Sequence, residues 1–322
     1  MKKIFSSVEL FSSVRHCLLA AVVFCGTGAL VSCGSDDDDT VQPTPQPQER
    51  RISFEGILNA RDMGGLVMQD GRTVSFGKLL RSANLAKATD ADAALLTNKY
   101  HLSDVFDFRL DMEAAAAPDR EMEGVTYTHL STLPIAEMMA EAEEAGLDVS
   151  TLSDMLSGDT EEEVMMKVAF SPQAQAMAKN LYPAIVTNTD SQKKYGDFLR
   201  GVLKAKGGVL WHCSEGKDRA GWGAAFVLAA LGASRDVIVQ DFNISNEAYA
   251  AQVQALTSMV PKVEGAEGAI AFIRAIVGVS RENFEATLDL IDKNYGSMAQ
   301  YMEKQLGFTA AEQQQLRDKY LK

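Results

Sequence analysis

The sequence predicts an α/β fold: a central, mostly parallel sheet flanked by helices, with a helical insertion that is a candidate lid. Three observations predict it. Strand-like and helix-like segments alternate between Ile52 and Leu130, the order that builds layered sheets. The run Gly208-Val209-Leu210-Trp211 is apolar throughout and leads, through a polar segment, into the small apolar stretch Ala220 to Leu231, as a central strand followed by a buried helix would. Residues 134–203 are helical in pattern and acidic, which sets them apart from the strands on either side.

The chain has 322 residues, 46% of them hydrophobic and 23% charged. That balance supports a sizeable core and excludes disordered, collagen-like and small disulfide-built chains. A formal net charge of −13 offers polyanions no long-range attraction, so nucleic acid is not expected as a partner and any anion site must be local.

In chain order, Lys2 and Lys3, then Arg15 and His16, precede an apolar run from Cys17 to Val31. The run is short for a membrane span and suits the h-region of a secretion signal. It ends in Leu30-Val31-Ser32-Cys33, which resembles a bacterial lipobox. The resemblance implies removal of residues 1–32 and lipidation of Cys33; cleavage by an ordinary signal peptidase is the plainer alternative. Removing the leader takes away Lys2, Lys3 and Arg15 against Glu9, so any membrane attachment is through acyl chains and not basic residues. Gly34-Ser35, the run Asp36 to Asp39 and a Pro-rich stretch to Pro47 follow, giving a polar tether over residues 33–50 that cannot bury a core. Acidic residues directly after a lipid-bearing Cys resemble surface-export signals of some Gram-negative lipoproteins, and a solvated linker reads equally well. The expected location is the bacterial cell envelope, lipid-anchored at the outer membrane, with surface display open.

Beyond the tether no second linker interrupts the chain, so residues 51–322 read as one domain, with 134–203 as the insertion and its lead-in helix. Ile52 to Leu58 and Thr73 to Leu80 read as strands around the turns at Gly64-Gly65 and Asp70-Gly71. Thr89 with Asp92 three residues on caps a helix reaching about Tyr100. Asp104 to Arg109 has the apolar content of a buried strand, a short helix runs to Pro118, and Gly124 to Leu130 is a further strand. Met138, Met139, Met155, Met165, Met166 and Met177 are spread along the insertion, where methionine serves as adaptable packing or as the apolar face of a mobile lid. Gly232 ends the helix after Leu231, and Thr309 to Glu312 forms a capping box near the C-terminus.

Of the four cysteines only Cys213 lies beyond residue 33. With the leader removed no disulfide pair remains, and an exported chain with one internal thiol either tolerates an inert buried Cys or uses a reactive one. Cys213 stands in His212-Cys213-Ser214-Glu215-Gly216-Lys217-Asp218-Arg219, between the predicted central strand and its helix. A loop there turns backbone N–H groups toward the positive end of a helix, a cradle for a phosphate dianion built from Ser214 to Arg219. The same field favours a Cys213 thiolate. Arg219 can hold two phosphate oxygens with its planar fork, and Gly216 permits the backbone conformation that a side chain would obstruct.

This segment resembles the HCxxGxxR loop of cysteine-dependent protein tyrosine phosphatases, and in its HCxxGKDR form the bacterial tyrosine/serine and lipid phosphatase-like family. Asn59 to Gly65, Leu80 to Ala83, Asp107 to Arg109 and Asp241 to Asn246 resemble that family's NFRDLGG, RSA, D-L-R and DYLLSN elements, in the same order. The resemblance implies a two-step phosphomonoester hydrolysis through a cysteinyl-phosphate. Cys213 would attack phosphorus while Arg219 and the loop amides stabilise the equatorial oxygens. A carboxylic acid would protonate the leaving oxygen, Asp218 being the first choice and Asp107 the second. His212, Arg61, Asp62 and Arg81 are implied as supports; Asp107 and Arg109 also read as a structural ion pair. Lys217 adds a fixed charge beside the loop that favours a second phosphate, hence phosphoinositides besides phosphotyrosine and phosphoserine or phosphothreonine in proteins. No metal or organic cofactor is needed. Ala220 departs from the Ser or Thr that many related loops place there, and the lost hydroxyl would slow thiophosphate breakdown by about ten- to a hundredfold. A phosphate-binding module with a crippled site, an inositol-polyphosphate phosphatase and a thiol-dependent sulfurtransferase remain as competing readings.

Overall fold

In this computed structural model the described residues are 50–144 and 160–322. The leader, Cys33, the tether to residue 49 and insertion residues 145–159, Met155 among them, lie outside them. Five strands form one sheet: β1 (Arg61–Asp62), β2 (Leu79–Ser82), β3 (Leu102–Asp107), β4 (Thr126–His129) and β5 (Gly208–His212), in the order β1-β2-β5-β3-β4. Only the β1–β2 pairing is antiparallel; β5 runs parallel to β2 and β3, and β3 to β4. The expected α/β fold with a central, mostly parallel sheet is thus the one observed.

β5 takes the centre because every residue in it is buried and its apolar side chains can be covered on both faces. The two-residue period of the strand divides them. Val209 and Trp211 join the principal core with Leu79, Phe106 and Phe108, whereas Leu210 joins a second core with Leu80, Val105 and Leu102. Register places Ser82 and Asp107 on either side of His212, so β2, β5 and β3 end side by side.

The helices are α1 (Asp90–Ala94), extended by a π-helical turn over Leu95–Lys99, α2 (Asp111–Ala116), α3 (Ile135–Glu144), α4 (Glu161–Phe170), α5 (Pro172–Thr187), α6 (Thr189–Lys204), α7 (Asp218–Leu231), α8 (Arg235–Asn243), α9 (Ser245–Ala248), α10 (Ala250–Met259), α11 (Ala266–Val277), α12 (Arg281–Tyr295), α13 (Met298–Lys304) and α14 (Ala310–Tyr320). The capping boxes Thr89/Asp92 and Thr309/Glu312 form as the sequence predicts, and Gly232 closes α7 with φ +93°. α7 is apolar on nearly every face because it runs through the principal core. The insertion divides. Tyr182, Ile185 and Val186 of α5 and Tyr195, Phe198, Leu199 and Val202 of α6 belong to the principal core. Val164, Met165 and Val168 of α4 instead pack with Leu256, Phe272 and Ile273 of α10 and α11 in a third, separate core.

Three expectations are corrected. Ile52 to Leu58 is not a strand: the amides of Glu55 and Gly56 are taken by the Asp92 carboxylate, so this stretch wraps the capping box of α1. Thr73 to Leu80 is strand only from Leu79, since Gly77 turns the chain at φ +74° and gives its N–H to Asp62. Arg50, assigned to the tether, is buried and reaches Asp241, so the folded domain already includes it. Among the described residues no helix is long and apolar enough to cross a membrane.

Candidate active site

The segment from Cys213 to Lys217 leaves the carboxyl end of β5 and feeds directly into α7, in the crevice where parallel sheets place their ligands. Its shape is imposed from outside. The Ser214 carbonyl accepts from the Asn84 side chain at 2.7 Å, and the Glu215 carbonyl from Asn59 at 3.0 Å and the Tyr249 hydroxyl at 2.7 Å. The Gly216 and Lys217 carbonyls accept from the Arg81 guanidinium at 2.9 and 2.7 Å. Four successive carbonyls are thus drawn to side chains that surround the loop. A trans peptide points its N–H opposite its C=O, so the amides of Glu215, Gly216, Lys217 and Asp218 face the concavity at the positive end of α7. That is an anion cradle.

Gly216 has φ +67°, and a Cβ there would lie 2.2 Å from the Ser82 carbonyl oxygen and 2.3 Å from its carbon. Gly216→Ala is expected to cost about 3 kcal/mol, combining left-handed strain with overpacking against backbone. A urea unfolding midpoint unchanged from the parent protein would contradict this.

Arg219 lies in the first turn of α7, buried. Its Nη1 and Nη2 donate to Glu113 of α2 at 2.6 and 3.0 Å, and Glu113 also accepts from the Ser214 hydroxyl at 2.6 Å and the Leu110 amide at 2.7 Å. One carboxylate therefore fixes the plane of the guanidinium and one edge of the loop. Cys213, the free thiol, is 2% exposed, and the charges of Arg81 and Lys217 act on it.

Beneath the loop Asp241 of α8 receives Arg50 at 3.1 Å, Arg61 at 3.3 Å and Arg81 at 3.0 Å, all four side chains buried. Burial alone would raise the Asp241 carboxyl, but the three guanidiniums outweigh it and hold it well below the usual carboxylate range. Burial, and after it the Arg81 charge, draws the Arg61 pKa down to about 9, so it stays charged at neutral pH. Three cations against one anion leave a positive surplus under the cradle. Arg61 also holds the Asn59 side chain that clamps Glu215, so it supports the loop at one remove.

His212 brings Nδ1 to 3.2 Å from the Cys213 carbonyl and Nε2 to 3.0 Å from Asp119. Asp107, Asp119 and His212 bring ligand-type atoms within 4.8 Å of one another. Arg109 sits among them with Nη2 at 2.8 Å from both carboxylates, so a guanidinium already occupies the place between the carboxylates that a metal would need, and the set fits an ion-pair cluster.

These positions sort the expected site residues. The loop, Arg219, Asp218, His212 and Arg81 come together, with Arg61 behind them. Asp62 does not reach the loop: its carboxylate accepts the Gly64 and Gly77 amides at 2.8 and 2.6 Å and braces the turns around β1. Asp107 is gripped by Arg109 at 2.8 to 3.0 Å. Burial would raise its carboxyl, but the hydrogen bonds and charge of Arg109, with His212, hold it below the usual value, which suits an ion pair and not a proton donor. Lys217 turns away from the cradle. Its ammonium caps α11, donating to the carbonyls of Ile276, Val277 and Gly278, with Glu215 at 3.1 Å. Burial works to lower its pKa, and the charges of Glu215 and Asp218 overcome that and raise it. A second phosphate finds no free ammonium here. Glu113, Asn84, Tyr249 and Asp119 have no role in the sequence reading, and their chain positions carry no spacing signal for one.

The comparisons agree with this geometry. A sequence model described as the tyrosine phosphatase family matches residues 52–322. A Cupriavidus necator protein whose name places it among the tyrosine-protein phosphatases is 30% identical over 273 residues, covering 84% of this chain and 88% of its own length. The triple specificity protein phosphatase PtpB of Mycobacterium tuberculosis is 29% identical over 259 residues, covering 77% and 91%.

Proposed function

Since the chain belongs to the tyrosine phosphatase family and is a phosphatase hydrolase, we propose that it cleaves phosphotyrosine in proteins through a cysteinyl-phosphate on Cys213. The observation that supports this reading is the capture of four successive loop carbonyls next to Cys213 by surrounding side chains, which leaves the loop amides free for a phosphate that Arg219 can also reach. In the first step the Cys213 thiolate forms an S–P bond as the ester P–O bond breaks, and the Asp218 acid gives its proton to the departing oxygen. In the second, Asp218 as carboxylate takes a proton from water, whose oxygen attacks phosphorus and releases the thiolate and inorganic phosphate. The amides and Arg219 hold the three non-bridging oxygens throughout.

Phosphotyrosine leads because the ammonium that would recruit a second phosphate is committed to α11. Phosphoserine, phosphothreonine and phosphoinositides rank below it, and the inositol-polyphosphate and sulfurtransferase readings gain nothing from this geometry. With Ala220 in place of a hydroxyl, thiophosphate breakdown is the slow step, so a burst of alcohol release should precede steady turnover. We assign the leader 1–32, lipidation of Cys33 and an outer-membrane location to the same proposal, on the lipobox resemblance alone.

The test is phosphate release from the full chain on a phosphotyrosine peptide, a phosphoserine peptide and a phosphoinositide panel, with acid quenching to trap protein-bound phosphate. Preference for phosphotyrosine and acid-stable phosphate on Cys213 are the expected results. A folded protein that binds phosphate and turns over none of these substrates would instead be a binding module.

A further inference from the structure

From the insertion a hydroxyl that the reaction scheme leaves unused reaches a loop residue directly. Tyr182 of α5 donates its hydroxyl to Asp218 Oδ1 at 2.7 Å. Its ring is 2% exposed, wedged edge-on against Trp222, Phe242 and Phe284, so neither the ring nor the hydroxyl has room to swing. The hydroxyl remains a donor: burial first, then the neighbouring Asp218 charge, pushes it well above the ordinary tyrosine value.

We propose that Tyr182 is a positioning residue for the general acid, holding one oxygen of Asp218 so that the other faces the leaving group. The proposal rests on the assignment of Asp218 as acid. With Oδ1 engaged, Oδ2 is left to carry the proton, and its nearest cation, Lys217 Nζ, lies at 3.9 Å, too far to take the hydrogen bond. As Asp218 gives up its proton it gains negative charge, and the Tyr182 hydrogen bond strengthens as that happens. Such a contact acts on the transition state more than on the bound substrate. The other groups whose charge acts with Asp218 are Arg81 from β2, Tyr195 from α6 and Tyr249 before α10. Tyr182 alone among these residues makes a direct hydrogen bond to the carboxylate.

A leaving group that departs easily needs little protonation, whereas a poor one depends on it. Tyr182→Phe keeps the ring and removes only the donor. We expect it to lower kcat/KM on phenyl phosphate about tenfold, with less than a twofold loss on p-nitrophenyl phosphate. The pair Tyr182→Phe with Asp218→Asn should be no slower than Asp218→Asn alone. Equal losses on the two substrates, while Asp218→Asn is selective for the poor leaving group, would overturn the role of Tyr182 and leave the acid assignment standing. If Asp218→Asn itself loses equally on both, the acid assignment fails and Tyr182 with it. Coincident thermal unfolding of Tyr182→Phe and parent excludes a folding defect as the cause of any loss.

Discussion

Cys213→Ser is expected to reduce phosphate release at least about 10⁴-fold, because the proposed mechanism would then need a serine hydroxyl, un-ionised at neutral pH, to do the work of the thiolate nucleophile. Binding should survive. The loop carbonyls and Arg219 are held by Asn59, Asn84, Arg81 and Glu113 through hydrogen bonds that do not involve the sulfur. Removing the thiolate charge that the proposed mechanism places beneath a phosphate dianion should, if anything, tighten the complex. Steady-state turnover and calorimetric titration with a phosphotyrosine peptide measure the two halves separately. Turnover within tenfold of the parent would remove Cys213 from the chemistry, and loss of binding would show that the loop depends on the sulfur for its shape.

The second large effect is on stability. Asp241→Asn would leave Arg50, Arg61 and Arg81 buried beside one another with no counter-charge, and breaking a buried ionic cluster from one side costs about 3–5 kcal/mol. The pH dependence has a definite sign. Asp241 is held below its unfolded value, so its contribution is complete above the ordinary carboxylate range and is lost as pH falls through that range toward the folded value. The parent should therefore lose stability on acidification through a term that the variant lacks. Chemical denaturation at neutral and at acidic pH checks both points. A variant as stable as the parent at neutral pH, or one with the same acid sensitivity, would contradict this account of the cluster.

What the sequence made legible was local or periodic. The apolar β5, the glycine-closed α7 and the boxes at Thr89 and Thr309 are each decided within a few residues, so neighbours in the chain suffice to specify them. The loop's Cys, Gly and Arg were visible for the same reason. Glu113 was not, because its hold on Arg219 spans 106 residues of chain and nothing in Asp111 to Ala116 distinguishes it from an ordinary helix-start acid. Asn59 and Asp241 lie inside segments that stood out, yet their tasks appear only once β1, α8 and the loop are brought together. The errors have one common cause. Ile52 to Leu58 looked like a strand because apolar alternation says nothing about where the amides go, and here two of them go to Asp92. Lys217 looked like a substrate ligand because sequence shows a charge and not its partner, and its partner is the end of a helix 59 residues away.

Arg50 bears on how this protein is handled as well as how it is built. The guanidinium that meets Asp241 also donates to the Asp62 carbonyl at 3.2 Å, so Arg50 is stitched into the scaffold of the catalytic loop. A recombinant fragment started one residue later, at the boundary that the sequence suggests, would be missing a third of the positive charge around Asp241.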